Sequence, residues 1–156
     1  MNLPSGYETD SVVRLEANLD DLSPEIIGSV MAALFAAGAL DVWHTPIQMK
    51  KNRPGVMLSA LCEESAVPRL ADLFFTETST FGIRIEKVIR LKLERRFETV
   101  QTEFGVITIK VGQKEGRVVQ AAPEFESCRE VAERSGRPLK TVYAAALRAW
   151  SEKAEQ

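Results

Sequence analysis

Apolar and polar positions alternate through VVRLEANLD, residues 12–20. Val13, Leu15, Ala17 and Leu19 fall on one side; Arg14, Glu16, Asn18 and Asp20 fall on the other. That is the period of a strand with one covered face. The period then changes. Ser23 reads as a helix N-cap with Pro24 at the first helical position. Ile26, Ile27, Val30, Met31, Leu34 and Ala37 form an apolar stripe that Gly38 closes. ALDVWHTPIQ supplies a second strand, the polar stretch MKKNRPG a turn, and VMLSALC (56–62) a third strand. A helix follows near residues 65–78, with Val67, Leu70, Ala71, Phe74 and Phe75 as its buried side. A long strand after Gly82, IRIEKVIRLKLERR, keeps Ile83, Ile85, Ile89, Leu91 and Leu93 on one parity, broken only by Lys87.

The order β-α-β-β-α-β over residues 12–96 specifies an α+β fold, a ferredoxin-like split βαβ unit with both helices on one sheet face. Residues 97–156 have a different rhythm and form a small α+β subdomain. FETVQTEFGVITIKVG makes a β-hairpin turning near Phe104-Gly105, and RVVQAA offers a further strand. Two helices end the chain. The first, over 124–135, turns Phe125, Cys128, Val131 and Ala132 inward and stops at Gly136; the second runs from about Leu139 to Trp150. Residues 1–11, polar and containing Pro and Gly, look like a linker or a cut end. The helix-turn-helix look of the last two helices also fits DNA binding, but packing is the better reading because such pairs occur in many folds.

Charge and composition narrow the classes. The 156 residues carry 20 Lys plus Arg against 22 Asp plus Glu, a net charge of −2, which gives no reason to expect nucleic acid or an anionic membrane as partner. No apolar run approaches the roughly 20 residues of a membrane span, and the start lacks a signal-peptide pattern. Cys62 and Cys128 are too far apart in sequence for a C-x-x-C motif, so a reducing cytoplasm is the expected location and core packing their expected role. The single His44 excludes a His-His acid/base pair or a multi-histidine nickel site within one chain.

Two clusters can carry chemistry. Glu16, Asn18 and Asp20 share the face opposite the apolar parity, with Asp21 beside them. These are oxygen donors of the kind that hold Mg²⁺ or Mn²⁺. The same spacing fits a solvated strand face or a polar subunit interface, and carboxylates near a helix start, Asp21 and Glu25 among them, also interact favourably with its dipole. The second cluster is QMKKNRPG, where Lys50, Lys51 and Arg53 offer charge to phosphate and Gly55 permits close approach. A hairpin turn with solubilising charges would look similar. In a split βαβ unit the third strand neighbours the first, which sets this loop near Asp20. Acidic oxygens beside a cationic loop suit a metal-bound nucleoside phosphate. Thr80 and Arg84, in TETSTFGIR, are further candidates for phosphate contact, with helix capping and strand polarity as the plainer explanation.

LEANLDDLSPEIIG, GALDVWHTPIQMKKNRPGVMLSALC, ETSTFGIR and PEFESCREVAERSG together resemble the nickel-insertion proteins of nickel-pincer nucleotide cofactor synthesis, the cofactor of lactate racemase. The resemblance covers residues 12–150 and matches that family's C-terminal domain. Ala17 departs from it, standing where the family pattern has threonine. The resemblance implies a CTP-dependent nickel chelatase or cyclometallase, a lyase, acting on pyridinium-3,5-bisthiocarboxylic acid mononucleotide through a cytidylylated intermediate. It implies CTP with Mg²⁺ or Mn²⁺, Ni²⁺ as the inserted metal and a further N-terminal domain as partner; the open sheet face, separately, suggests a homo-oligomer. The residue map comes from the two clusters and not from the family: Glu16, Asn18, Asp20 and Asp21 would hold the divalent metal and Lys50, Lys51 and Arg53 the triphosphate, with Thr80 and Arg84 as secondary candidates. Two other readings stand beside it: a non-catalytic nucleotide-sensing module and a purely structural oligomerisation domain.

Overall fold

The first strand, β1 (Glu8–Leu19), buries Val13, Leu15, Ala17 and Leu19 on one side, as the alternation requires. It begins earlier than the pattern suggested, so the stretch expected as linker already contributes strand from Glu8. A computed structural model describes residues 3–154. The order is β1, α1 (Pro24–Ala36), β2 (Asp41–Met49), β3 (Arg53–Cys62), α2 (Val67–Glu77) and β4 (Arg84–Lys92). There follow β5 (Glu94–Thr102), β6 (Gly105–Lys114), β7 (Arg117–Pro123), α3 (Phe125–Ser135) and α4 (Leu139–Ala154).

Helix α1 starts where the residues direct it. Ser23 is extended, its hydroxyl accepts the Ile26 amide at 3.4 Å, and Pro24 occupies the first turn, where a missing N–H costs nothing. Glu25 lies in that same first turn, and its carboxyl is held below the usual carboxylate range by the Ser23 hydrogen bond first and a backbone hydrogen bond second. So part of the acidic run is indeed helix capping.

Two compact units result, Thr9–Arg90 and Leu91–Gln156 with Met1–Glu8; the sequence pattern had suggested a break at 96/97. In the first unit the strands lie in the order β2-β3-β1-β4. Strand β3 runs antiparallel to both β1 and β2, with Glu16 opposite Ser59 and Asn18 opposite Met57. This is the split βαβ arrangement. The core is one layer between sheet and helices: Leu15, Ala17, Leu58, Ala60 and Cys62 against Val30, Leu34, Leu70 and Phe74. Ala17 is buried there, on the helix side of the sheet.

The long strand expected over 83–96 is instead two, β4 and β5, parted at Leu93. Its apolar parity is only partly covered. Ile83 packs on the core, but Ile85, Ile89 and Leu91 are exposed because β4 is an edge strand. Ile26, Phe75 and Phe125, expected inside, are also exposed.

The second unit is a three-stranded antiparallel sheet, β5-β6-β7, backed by α3 and α4. The hairpin therefore gains the third strand that RVVQAA offered. Ile107, Ile109 and Val111 face the helices and meet Cys128, Val131, Val142 and Ala146. Gly136 ends α3 in the left-handed conformation at φ 66°, where a side chain would be strained. Among the described residues no helix is long and apolar enough to cross a membrane.

Candidate functional site

Antiparallel pairing brings three connections to one end of the four-stranded sheet. Leu19 lies opposite Val56, so the end of β1 meets the start of β3. A methyl group on Gly55 would stand 2.5 Å from the Leu19 carbonyl oxygen and 3.3 Å from the Asp20 Cα. Only glycine allows that approach, and it lets Arg53 reach Asp20 at 3.3 Å. Strand β4 enters from the other side. Arg84 reaches Glu16 and Asn18, Glu86 meets Arg14, and Arg90 pairs with Asp10. As β4 numbers rise β1 numbers fall, which marks an antiparallel pair. The segment between α2 and β4 is tied to the same end by a hydrogen bond from the Ser79 hydroxyl to Asp21.

The loop between β2 and β3 is a single turn of 3₁₀-helix, Lys50–Asn52. Lys51 and Asn52 are both left-handed, at φ 59° and 57°, a conformation uncommon for lysine. The Gln48 side chain braces it by donating to Asn52 Oδ1 at 3.1 Å. Lys50 and Lys51 are exposed, and neither has an ion-pair or hydrogen-bond partner among the described residues. Two cations held on a tight loop without carboxylate partners are available to an anion. Arg53 is only half committed: it touches Asp20, yet its side chain is 58% exposed.

The donors expected to hold a divalent metal are arranged otherwise. Glu16 is buried beneath Arg14 and Arg84, whose Nε atoms lie 3.3 and 3.5 Å from its two carboxylate oxygens, and Ser59 donates to it at 3.3 Å. Asn18 accepts from Arg84 at 2.8 Å. Among the described residues no three His, Cys, Asp or Glu side chains converge on a point that could hold an ion. Glu16, Asn18, Asp20 and Asp21 thus form a ladder with arginines interleaved, and they do not fit a four-ligand cage. Asp20 and Asp21, at the loop end, fit the lesser role of one or two carboxylates facing a cation that phosphates carry, the usual Mg²⁺ arrangement.

Of the expected phosphate ligands, Lys50, Lys51, Arg53 and Arg84 come to the same end of the sheet. Thr80 is nearby, but its hydroxyl is engaged in its own turn, donating to the Gly82 carbonyl at 2.7 Å and accepting its amide at 3.3 Å. Arg14 and Ser59 were absent from the candidate residues, although Arg14 shares its parity with Glu16 and was legible as a neighbour on the same face. Ser59 became visible only through the pairing register. His44 is exposed on the edge strand β2, and Cys62 and Cys128 are fully buried in separate cores. Burial raises both thiols above the usual thiol range.

Comparison with known proteins gives a consistent result. The sequence profile of the nickel insertion protein family matches residues 2–143. A protein named "Putative nickel insertion protein" from Pelobacter propionicus is 51% identical over 139 residues, 89% of this chain and 36% of that protein. The "Pyridinium-3,5-bisthiocarboxylic acid mononucleotide nickel insertion protein" of a Thermotoga species is 42% identical over 140 residues, 90% of this chain and 35% of its own length. The chain therefore spans about a third of the length of the curated relatives it matches. Among solved structures, LarC2, described as the C-terminal domain of a cyclometallase involved in synthesis of the NPN cofactor of lactate racemase, superposes with a TM-score of 0.84 at 40% identity. That match covers 92% of this chain and 99% of LarC2.

Proposed function

This chain belongs to the nickel insertion protein family, and from that premise we propose that it is the nucleotide-binding C-terminal part of an enzyme inserting nickel into pyridinium-3,5-bisthiocarboxylic acid mononucleotide. CTP is the nucleotide and Ni²⁺ the metal delivered. The observation that carries the reading is the unpartnered Lys50–Lys51 pair, on a strained loop beside Asp20, Asp21 and Arg53.

The residues divide the work by chemistry. Lys50 and Lys51 act as point charges on the terminal phosphates, and Arg53 adds a planar fork once it turns from Asp20. Arg84, held by Glu16 and Asn18, is fixed in direction before any ligand arrives, which lowers the ordering cost of binding. A divalent ion entering with CTP, against Asp20 or Asp21, supplies further charge neutralisation at the phosphates. In the reaction the substrate attacks the α-phosphorus, pyrophosphate leaves, and a cytidylylated intermediate forms. Ni²⁺ then takes the place of a proton on a ring carbon, forming a nickel–carbon bond, and water cleaves the bond to the cytidylyl group so that CMP leaves. Cations aimed at the leaving pyrophosphate lower that first barrier because charge grows there.

The test is calorimetric titration with CTP, with and without Mn²⁺, on wild type and on Lys50→Gln/Lys51→Gln. Binding that weakens at least tenfold in the double variant is the expected result. Binding equal in both proteins would refute the assignment. Pyrophosphate release with the correct substrate separates the enzyme from a nucleotide-sensing module, which would bind CTP without turnover.

A further inference from the structure

The second unit presents a separate concavity. In β5 and β6, Arg95 lies opposite Gly112 and Phe97 opposite Lys110; in β6 and β7, Gly112 lies opposite Gln120 and Lys110 opposite Ala122. These six residues form two rows on one face of the sheet. It is the face away from α3 and α4, because Ile107, Ile109 and Val111, of the other parity, fill the core. Gly112 sits in the middle and has no side chain, so the sheet dips there. Leu93 leans over it, its Cδ1 only 2.8 Å from where a methyl on Gly112 would stand. The result is a cavity of about 290 Å³ lined by Lys92, Leu93, Arg95, Lys110, Gly112, Gln120 and Ala122.

Its chemistry is specific. The floor is apolar, made by Leu93, Ala122 and bare backbone, and the rim is cationic. Lys110 is held at 3.0 Å by Glu124 and Lys92 lies 3.9 Å from Glu8. Arg95, by contrast, is exposed and has no ion pair or hydrogen bond among the described residues. Phe97 stands beside Lys110 with 63% of its surface in solvent. A volume at the lower end of the roughly 300–1,000 Å³ of ligand sites fits one ring rather than a whole nucleotide. The apolar floor suits the face of a flat ring, and guanidinium and ammonium groups suit anions on its edge.

We infer that this cavity binds a planar aromatic ring bearing carboxylate-type anions, separately from the phosphate-binding end of the first unit. Its natural occupant, an inference resting on the function proposed above, is the bisthiocarboxylate pyridinium ring of the substrate. The dependence is confined to that identity.

The experiment is an NMR titration of the whole chain with pyridine-3,5-dicarboxylate, and with pyridine-3,5-dicarboxamide as the uncharged ring of the same shape. Saturable shifts at Arg95, Phe97, Lys110 and Gly112 with the diacid, and at least tenfold weaker binding of the diamide, are expected. Arg95→Gln should weaken the diacid about tenfold, the scale of one charge-assisted hydrogen bond. Arg95 is exposed, so this variant keeps its fold, which its unliganded spectrum verifies. Lys50→Gln should leave diacid binding as in wild type while weakening CTP. No saturable shift, equal binding of diacid and diamide, or an unaffected Arg95→Gln would each overturn the site. Diacid binding without CTP binding would support this site while refuting the nucleotide reading. CTP binding without diacid binding would refute this site alone.

Discussion

The same chemical change, glycine to alanine, should have opposite signs at two positions of the first unit. At Gly55 an added methyl meets the Leu19 carbonyl oxygen at 2.5 Å, a backbone atom of the neighbouring strand, and Met49 Sδ at 2.9 Å. The sulfur can turn away; the carbonyl cannot without moving β1. Overpacking of this kind costs about 1–3 kcal/mol, and the entropy removed from the unfolded chain returns about 0.4–1 kcal/mol. A net loss of about 1–2 kcal/mol follows, or about 4–16 °C in Tm at the 4–8 °C per kcal/mol of a small domain. At Gly28, inside α1 and exposed, nothing lies within 4 Å of the added methyl. There alanine should stabilise by about 0.5–1 kcal/mol through helix propensity. Thermal and urea unfolding of both variants, followed by circular dichroism, measures the contrast. Gly55→Ala should also weaken CTP, since displacing β1 from β3 separates Asp20 from Arg53. Refutation would be a Gly55→Ala protein as stable as wild type with unchanged CTP affinity. That would mean the close approach of the two strands does not position the site.

Other perturbations probe the ladder and the cores. Glu16→Gln keeps the volume but removes the charge facing Arg14 and Arg84, and Arg14 Nε is already buried without a hydrogen bond. A loss of about 1–2 kcal/mol is expected in urea melts, discounted for the solvent reaching both guanidiniums. Buried Cys62 and Cys128 should resist disulfide reagents until the protein unfolds, measured by the rate of thiol labelling against urea. Their raised pKa also fixes a sign: the unfolded chain loses its thiol protons first, so stability should hold below about pH 8.5 and fall above it. Replacing both by alanine should flatten that alkaline decline in a series of melts from pH 7 to 10.

Much of this architecture could be read from one strand. The alternation in VVRLEANLD fixed which side of β1 meets the helices, and the buried Leu15 and Ala17 lie there. It could not say how far the helices extend across the sheet. Ile85 and Ile89 have the same period as Leu15, yet they stand exposed on the edge strand β4. Periodicity reports which residues share a face; coverage of that face is a property of the tertiary layer. The candidate site divides along the same line. Lys50, Lys51 and Arg53 were legible because a charged turn is local, and the neighbourhood of Asp20 followed from strand order. The partners of Glu16 were not. Three oxygen donors in a row looked like a metal site because a sequence shows one strand at a time, whereas Ser59 and Arg84 arrive from two others. Once those partners are counted, the charge on Glu16 is already opposed from within the protein, whereas Lys50, Lys51 and Arg95 are among the cations that have no ion pair among the described residues. An anion is therefore the ligand we propose for each unit, taken by itself.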